Sequence, residues 1–113
     1  MKTTIYLGTD RGLTVIAGSD GNWRGKVCLE DKHVQCVVAD SNKGGFVYCG
    51  TFGDGLFTSE NGGATWEKSA SFTEPNVMAL ASSRPGSLYA GTELSAVYRT
   101  DDQGKIDRNC KVC

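Results

Sequence analysis

The sequence is short of several things. It holds 1 histidine and 2 prolines in 113 residues, and neither sign of charge dominates: 12 Lys and Arg against 13 Asp and Glu leave a formal net charge of −1. Without a basic field there is no electrostatic footprint for nucleic acid, and without an acidic block there is no solvating tail. No stretch approaches the ~20 apolar residues of a membrane span. The N-terminus, MKTTIYLGTDRG, has one lysine but no apolar run long enough for a signal peptide. Helical periodicity is missing too: no segment keeps apolar residues at i, i+3, i+4 and i+7 through about three turns. The expectation from these absences is a cytoplasmic chain with no membrane span and no nucleic-acid partner.

Chemistry-bearing clusters are equally scarce. The single His33 supports no Ser/His/Asp set. It opens a strand, where a surface position is the simpler reading and a central channel the other. The five cysteines are Cys28, Cys36, Cys49, Cys110 and Cys113. An odd count with no secretion signal argues for free thiols. Cys110-x-x-Cys113 has no second pair to complete a zinc site and no helix start to make a redox motif. Cys28, Cys36 and Cys49 lie in or beside strands and are expected to pack as small apolar residues. "NKGG" lacks the spacing of a phosphate loop. No cofactor or metal is therefore expected.

Glycine is abundant instead: 15 residues, about twice the usual share of roughly 7%. Excess glycine without a collagen period suggests many tight turns between short strands. The chain also repeats itself. IYLGT at Ile5–Thr9 returns as VYCGT at Val47–Thr51 and as LYAGT at Leu88–Thr92. Tyr6, Tyr48 and Tyr89 stand about 42 and 41 residues apart.

Short strands fill each period. HVQCVVAD at His33–Asp40 and NVMALASS at Asn76–Ser83 are counterparts. A turn leads from each to the Tyr-x-Gly-Thr strand. A third strand follows, GLFTS at Gly55–Ser59 or AVYRT at Ala96–Thr100, and a polar turn leads to a fourth, TWEKS at Thr65–Ser69. In FVYCGTF, Phe46, Tyr48 and Phe52 alternate with Val47 and Cys49, so both faces are apolar and both need cover. Four strands per repeat of this length is the arithmetic of a β-propeller blade.

The expected fold is thus all-β: a partial β-propeller of four-stranded antiparallel blades. Residues 1–32 make an incomplete first blade of three strands, 33–75 a complete second, and 76–105 an incomplete third, with 106–113 a non-repeat tail. That is about two and a half blades, where a closed ring takes roughly four to eight. Either several chains complete the ring as a homo-oligomer, or the chain is a piece of a longer protein. The pattern fails just after Lys105, which suggests truncation or a shifted frame there.

One motif is specific. Ser59-x-Asn61-x-Gly63-x-Thr65-Trp66 aligns with Thr100-x-Asp102-x-Gly104 in the third repeat. Ser, Thr, Asn and Asp accept hydrogen bonds from nearby backbone N–H groups, and glycine supplies the positive φ that closes the loop. Trp66 then anchors the last strand with a large buried area. The pattern Ser-x-Asp-x-Gly-x-Thr-Trp is that of the Asp-box, also called the BNR or sialidase repeat. With its Tyr-x-Gly-Thr strands the chain resembles the BNR-type β-propellers, which include sialidases, the sortilin luminal domain, some glucan hydrolases and photosystem II assembly factors. The resemblance runs to about Lys105. Asn61 stands where the family has Asp, Asp107 stands where it has Trp, and GSDGNW at Gly18–Trp23 is a degenerate first box.

The resemblance implies a structural role for the box, because Asp-boxes in sialidases lie away from the active site. Sialidase chemistry needs three arginines, a tyrosine nucleophile paired with a glutamate, and an acidic acid/base. Arg11, Arg24, Arg84, Arg99 and Arg108 lie outside the family's Arg-Ile-Pro context, and the tyrosines recur in each repeat as core residues would. No catalytic residue is assigned. Asp10, Asp54 and Glu93 each follow a Gly-Thr strand; they are solvated turn charges or a shared acidic rim that takes a ligand. The leading functional reading is a non-catalytic scaffold that binds a protein or carbohydrate through its loop face. The alternative is a fragment of a sialidase-like or glucanase-like glycoside hydrolase.

Overall fold

The computed structural model describes residues 3–40, 45–70, 72–84, 87–93, 96–100 and 110–111. These form antiparallel sheets, with no helix among the described residues. The first sheet holds β1 (Thr3–Thr9), β2 (Gly12–Ser19) and β3 (Asn22–Cys28). The second holds β4 (Val34–Ala39), β5 (Val47–Thr51), β6 (Leu56–Ser59) and β7 (Glu67–Lys68). The third holds β8 (Val77–Arg84), β9 (Ser87–Thr92), β10 (Ala96–Thr100) and β11 (Cys110–Lys111). Every sheet is an up-and-down meander in chain order. Short polar connections permit only antiparallel neighbours, so this order follows from the turn spacing.

The sheets stack in sequence, and the Tyr-x-Gly-Thr strands explain how. Paired residues on neighbouring strands point the same way. On one face of the first sheet lie Tyr6 paired with Val15 and Gly8 paired with Leu13. We call this face, turned toward the following sheet, the leading face. It meets Val34, Cys49 and Phe57 on the trailing face of the second sheet, and Leu13 and Cys49 are fully buried there. The junction then recurs. Tyr48, Leu56, Cys36 and Val38 on the leading face of the second sheet meet Val77, Leu88 and Ala90 of the third.

Glycine makes the close approach possible. A Cβ on Gly8 would lie 2.5 Å from Cγ1 of Val34, and one on Gly50 would lie 2.6 Å from Cγ1 of Val77. The same glycine of the first and second repeats thus receives the first valine of the next sheet. Both faces of β5 are buried as a result, which answers its two apolar faces. β1 carries the same pattern, yet its trailing face meets no sheet among the described residues, and Ile5 and Leu7 stay 47% and 51% exposed.

Two details differ from the sequence expectation. GSDGNW forms a two-residue hairpin rather than a box. Asp20 and Gly21 have φ of 50° and 87°, the doubly positive pair that an Asp-Gly hairpin turn requires. Trp23 therefore lies directly on β3 and pairs with Gly18. Cys110 and Lys111 fall within the expected non-repeat tail, yet they pair with Arg99 and Tyr98 of β10. Strand pairing uses backbone groups, so it needs no repeat pattern in the side chains.

Candidate functional site

The motif Ser59–Trp66 forms a clasp between β6 and β7. Ser59 ends β6, buried, and its hydroxyl oxygen accepts from the backbone N of Gly63 at 2.8 Å and of Asn61 at 3.4 Å. The same hydroxyl donates to Oδ1 of Asn61 at 2.9 Å. Asn61 Oδ1 also accepts from the backbone N of Thr65 at 3.0 Å, and its Nδ2 donates to Oγ1 of Thr65 at 2.8 Å. Trp66 Nε1 donates to the carbonyl of Gly63 at 3.0 Å. Asn61 and Thr65 are themselves exposed, Gly63 is buried, and Trp66 is half-buried against the first junction. Gly63 has φ of 99°, which a side chain would strain. Asn61 uses its amide as both acceptor and donor, the second of which an aspartate cannot do.

The clasp also reaches across to the neighbouring sheet, which sequence reasoning missed. The Tyr6 phenol donates to the carbonyl of Gly62 at 2.8 Å. Lys26 Nζ donates to the carbonyl of Ala64 at 3.2 Å, and the Cys28 thiol approaches the carbonyl of Gly63 at 3.6 Å. A Cβ on Gly63 would press on Tyr6 at 3.0 Å and Val15 at 3.2 Å. The recurring tyrosine was the available signal, but its partner lies in the next repeat. Tyr48 holds the equivalent position in the second sheet, buried to 1% exposure, and its hydroxyl has no partner among the described residues. Thr100 ends β10, while Asp102 and Gly104 lie outside the described residues.

At the opposite end of the sheets, the threonine of Tyr-x-Gly-Thr ties each acidic turn. The hydroxyls of Thr9, Thr51 and Thr92 donate to the carbonyls of Gly12, Gly55 and Ala96 at 3.1, 2.8 and 3.4 Å. The backbone N of Asp54 donates back to Thr51 Oγ1 at 3.1 Å. Sequence reasoning noted this threonine only as a pattern; its hydroxyl at the last strand position was the clue to a turn.

The three acidic turn residues have separate surroundings. Asp10 is exposed. Asp54 faces Lys32 Nζ at 3.6 Å. Glu93 accepts from Asn76 Nδ2 at 2.8 Å. Among the described residues no group of three or more His, Cys, Asp or Glu side chains is placed to hold a metal. A cleft of about 440 Å³ opens beside Asp54, with Lys68, Phe72, Thr73, Glu74 and Pro75 in its wall. Glu74 Oε2 accepts from the Tyr98 hydroxyl at 3.4 Å. His33 is exposed immediately before β4, its ring 5.9 Å from that of Phe52.

The described cysteines Cys28, Cys36 and Cys49 are free thiols. Burial pushes the Cys49 thiol from 9.0 up to about 12, with the nearby Cys36 thiol adding to the shift. Burial pushes Cys36 to about 11, opposed by a backbone hydrogen bond from Gly50. Both stay protonated at neutral pH, so they pack and do not attack.

No protein-family model matches the chain, and no curated protein matches it.

Proposed function

We propose that the chain is a non-catalytic β-propeller module of BNR type, a scaffold that binds a protein or carbohydrate at the loop end of its sheets. The observation that carries this reading is the clasp, in which Ser59, Asn61, Gly63 and Trp66 tie one turn by hydrogen bonds. Its side chains are spent on the turn and the neighbouring sheet, which leaves the opposite end free to vary with the ligand. The repeated front-to-back junction between sheets is the packing that successive blades of a propeller use.

The cleft between Asp54 and Glu74 is the binding surface of this proposal. It presents an ammonium, two carboxylates and backbone of Gly53 and Gly55, a mixture suited to hydroxyl-rich or peptide ligands. One observation favours the alternative of a glycoside hydrolase fragment: these two carboxylates line one cleft, as paired acids do in glycosidases. Titration with neutral and sialylated oligosaccharides, followed by backbone amide shifts, separates the readings. The scaffold reading expects shifts at the cleft with no turnover. Hydrolysis abolished by Asp54→Asn or Glu74→Gln would overturn it.

A further inference from the structure

The first and second sheets carry different chemistry along one equivalent row of positions. In the first sheet, Tyr6, Val15 and Lys26 stand opposite one another on β1, β2 and β3. Their side chains share the leading face and meet the clasp: the Tyr6 hydroxyl and Lys26 Nζ donate to the carbonyls of Gly62 and Ala64. In the second sheet the same row is Tyr48, Thr58 and Glu67, on β5, β6 and β7. Where the first row has a lysine, which only donates, the second has a carboxylate, which only accepts. Where the first has an apolar valine, the second has a threonine. Thr58 is 6% exposed, and its Oγ1 has no hydrogen-bond partner among the described residues.

Thr58 and Glu67 line a cleft of about 350 Å³ together with Glu60, Asn61, Thr65 and Trp66. It lies at the clasp end of the second sheet, apart from the cleft beside Asp54. Thr58 and Glu67 are a direct cross-strand pair, so both side chains leave the sheet on the same side. Glu60 adds a second carboxylate, exposed in the turn. Among the described residues no lysine or arginine lines the cleft. Lys68 pairs with Phe57 and so leaves β7 on the opposite face. The cleft therefore gathers acceptors and negative charge around a buried hydroxyl that costs free energy while unpaired. Two carboxylates fall short of the roughly six to eight oxygens that calcium takes. No group of three or more His, Cys, Asp or Glu side chains is placed for a metal among the described residues. An organic cation asks for less: its N–H groups meet the carboxylates and hydroxyls, and Trp66 offers its indole to the charge or the stem behind it.

We infer that this cleft binds an arginine side chain of a peptide partner. Glu67 and Glu60 pair the guanidinium, Thr58 accepts a hydrogen bond at the floor, and Trp66 flanks the alkyl stem. Arginine fits better than lysine because its planar fork of donors matches carboxylate geometry and its weaker hydration makes it easier to strip of water. The site stands on the row Tyr48–Thr58–Glu67 and the cleft beside it, and it does not depend on the cleft between Asp54 and Glu74 being a binding surface.

The test uses the full chain with N-acetylarginine amide as the probe and the uncharged N-acetylcitrulline amide as its control. Binding is followed by backbone amide shifts. Saturable shifts in the millimolar range are expected at Thr58, Glu60, Thr65, Trp66 and Glu67 with the arginine probe and not with the control. Added salt should weaken the binding, because exposed charges are screened. Glu67→Gln should weaken it by about threefold or more. Thr58→Val keeps the shape of the side chain and removes the unpaired hydroxyl. Its urea midpoint should hold or rise, while its affinity for the probe falls by about threefold or more. A purely structural Thr58 would move the midpoint and leave the affinity alone. The inference is overturned by equal binding of the citrulline control, by no saturable binding of the arginine probe, or by unchanged affinity in either variant. Calcium chloride that shifts the same amides and displaces the probe overturns it as well, by making the cleft a metal site.

Discussion

The phenol of Tyr6 in the first sheet donates a 2.8 Å hydrogen bond to the carbonyl of Gly62, inside the clasp of the second sheet. A turn motif that closes one hairpin is thereby also a joint between two sheets. Burial raises the Tyr6 phenol above its ordinary pKa of 10.0, so the donor keeps its proton through the neutral range.

Tyr6 and Tyr48 hold the same place in successive repeats but should respond oppositely to loss of the hydroxyl. Tyr6→Phe removes a bond to a backbone carbonyl and should cost about 0.5–1.5 kcal/mol. Tyr48→Phe removes a buried hydroxyl without a partner among the described residues and should be neutral or stabilising. Urea unfolding of the two variants, compared at equal protein concentration, checks the contrast. Equal losses would contradict it.

Ser59 and Asn61 carry different shares of the clasp. Ser59→Ala leaves the buried N–H of Gly63 without its acceptor and should destabilise by about 1–3 kcal/mol. Asn61→Asp keeps the Oδ acceptor for Thr65 N and loses only the donor to the exposed Thr65 hydroxyl. Its effect at neutral pH should stay within about 0.5 kcal/mol. Thermal melts followed by tryptophan fluorescence, with Trp23→Phe as the common background so that Trp66 is the emitter, would report both.

Alkali should loosen the fold before any disulfide chemistry is involved. Burial, reinforced by the Asp40 charge, holds the Tyr48 phenol at about 12 against an ordinary 10.0, and the Cys49 thiol stands at about 12 against 9.0. A raised folded pKa gives stability that is complete below the unfolded pKa and declines as pH rises toward the folded one. Stability should therefore fall from about pH 9 to about pH 12. Denaturation in reductant across this range measures the slope, and Cys49→Ala should make it shallower. An unchanged slope in that variant would contradict the assignment.

The glycine-to-valine contact between the second and third sheets should show in a mutant cycle. Gly50→Ala places a Cβ 2.6 Å from Cγ1 of Val77 and Sγ of Cys36, and overpacking of this kind costs about 1–3 kcal/mol. Adding Val77→Ala removes the contact with Cγ1 while those with Sγ of Cys36 and Cβ of residue 77 remain, so the pair should cost less than the sum of its parts by about 0.5 kcal/mol or more. Strict additivity would mean that the two residues do not meet.

Much of the fold was legible because it is written three times. The Tyr-x-Gly-Thr strands, their turns and the hydrogen bonds within Ser59–Trp66 are all local, and local chemistry is what a single sequence displays. The contacts between repeats were not legible. Nothing near Tyr6 in sequence points to Gly62, and nothing near Gly50 names Val77, because both partners lie in the next sheet. GSDGNW looked like a degenerate box around Trp23, but the Asp20–Gly21 hairpin leaves no box there. Among the candidate loop acids, position in the turn was readable, whereas the pairing of Asp54 with Lys32 and of Glu93 with Asn76 depended on the strand register that brings the entry to β4 beside the exit of β5, and the entry to β8 beside the exit of β9.

The clasp as an inter-sheet joint is tested most directly by the double-mutant cycle of Tyr6→Phe with Ser59→Ala. If Ser59 holds the turn in the shape that presents the Gly62 carbonyl to Tyr6, loss of Ser59 already weakens the Tyr6 bond. Urea unfolding should then give a coupling energy of about 0.5–1 kcal/mol between the two sites. Additive losses would contradict the joint and leave the motif as a turn within one sheet.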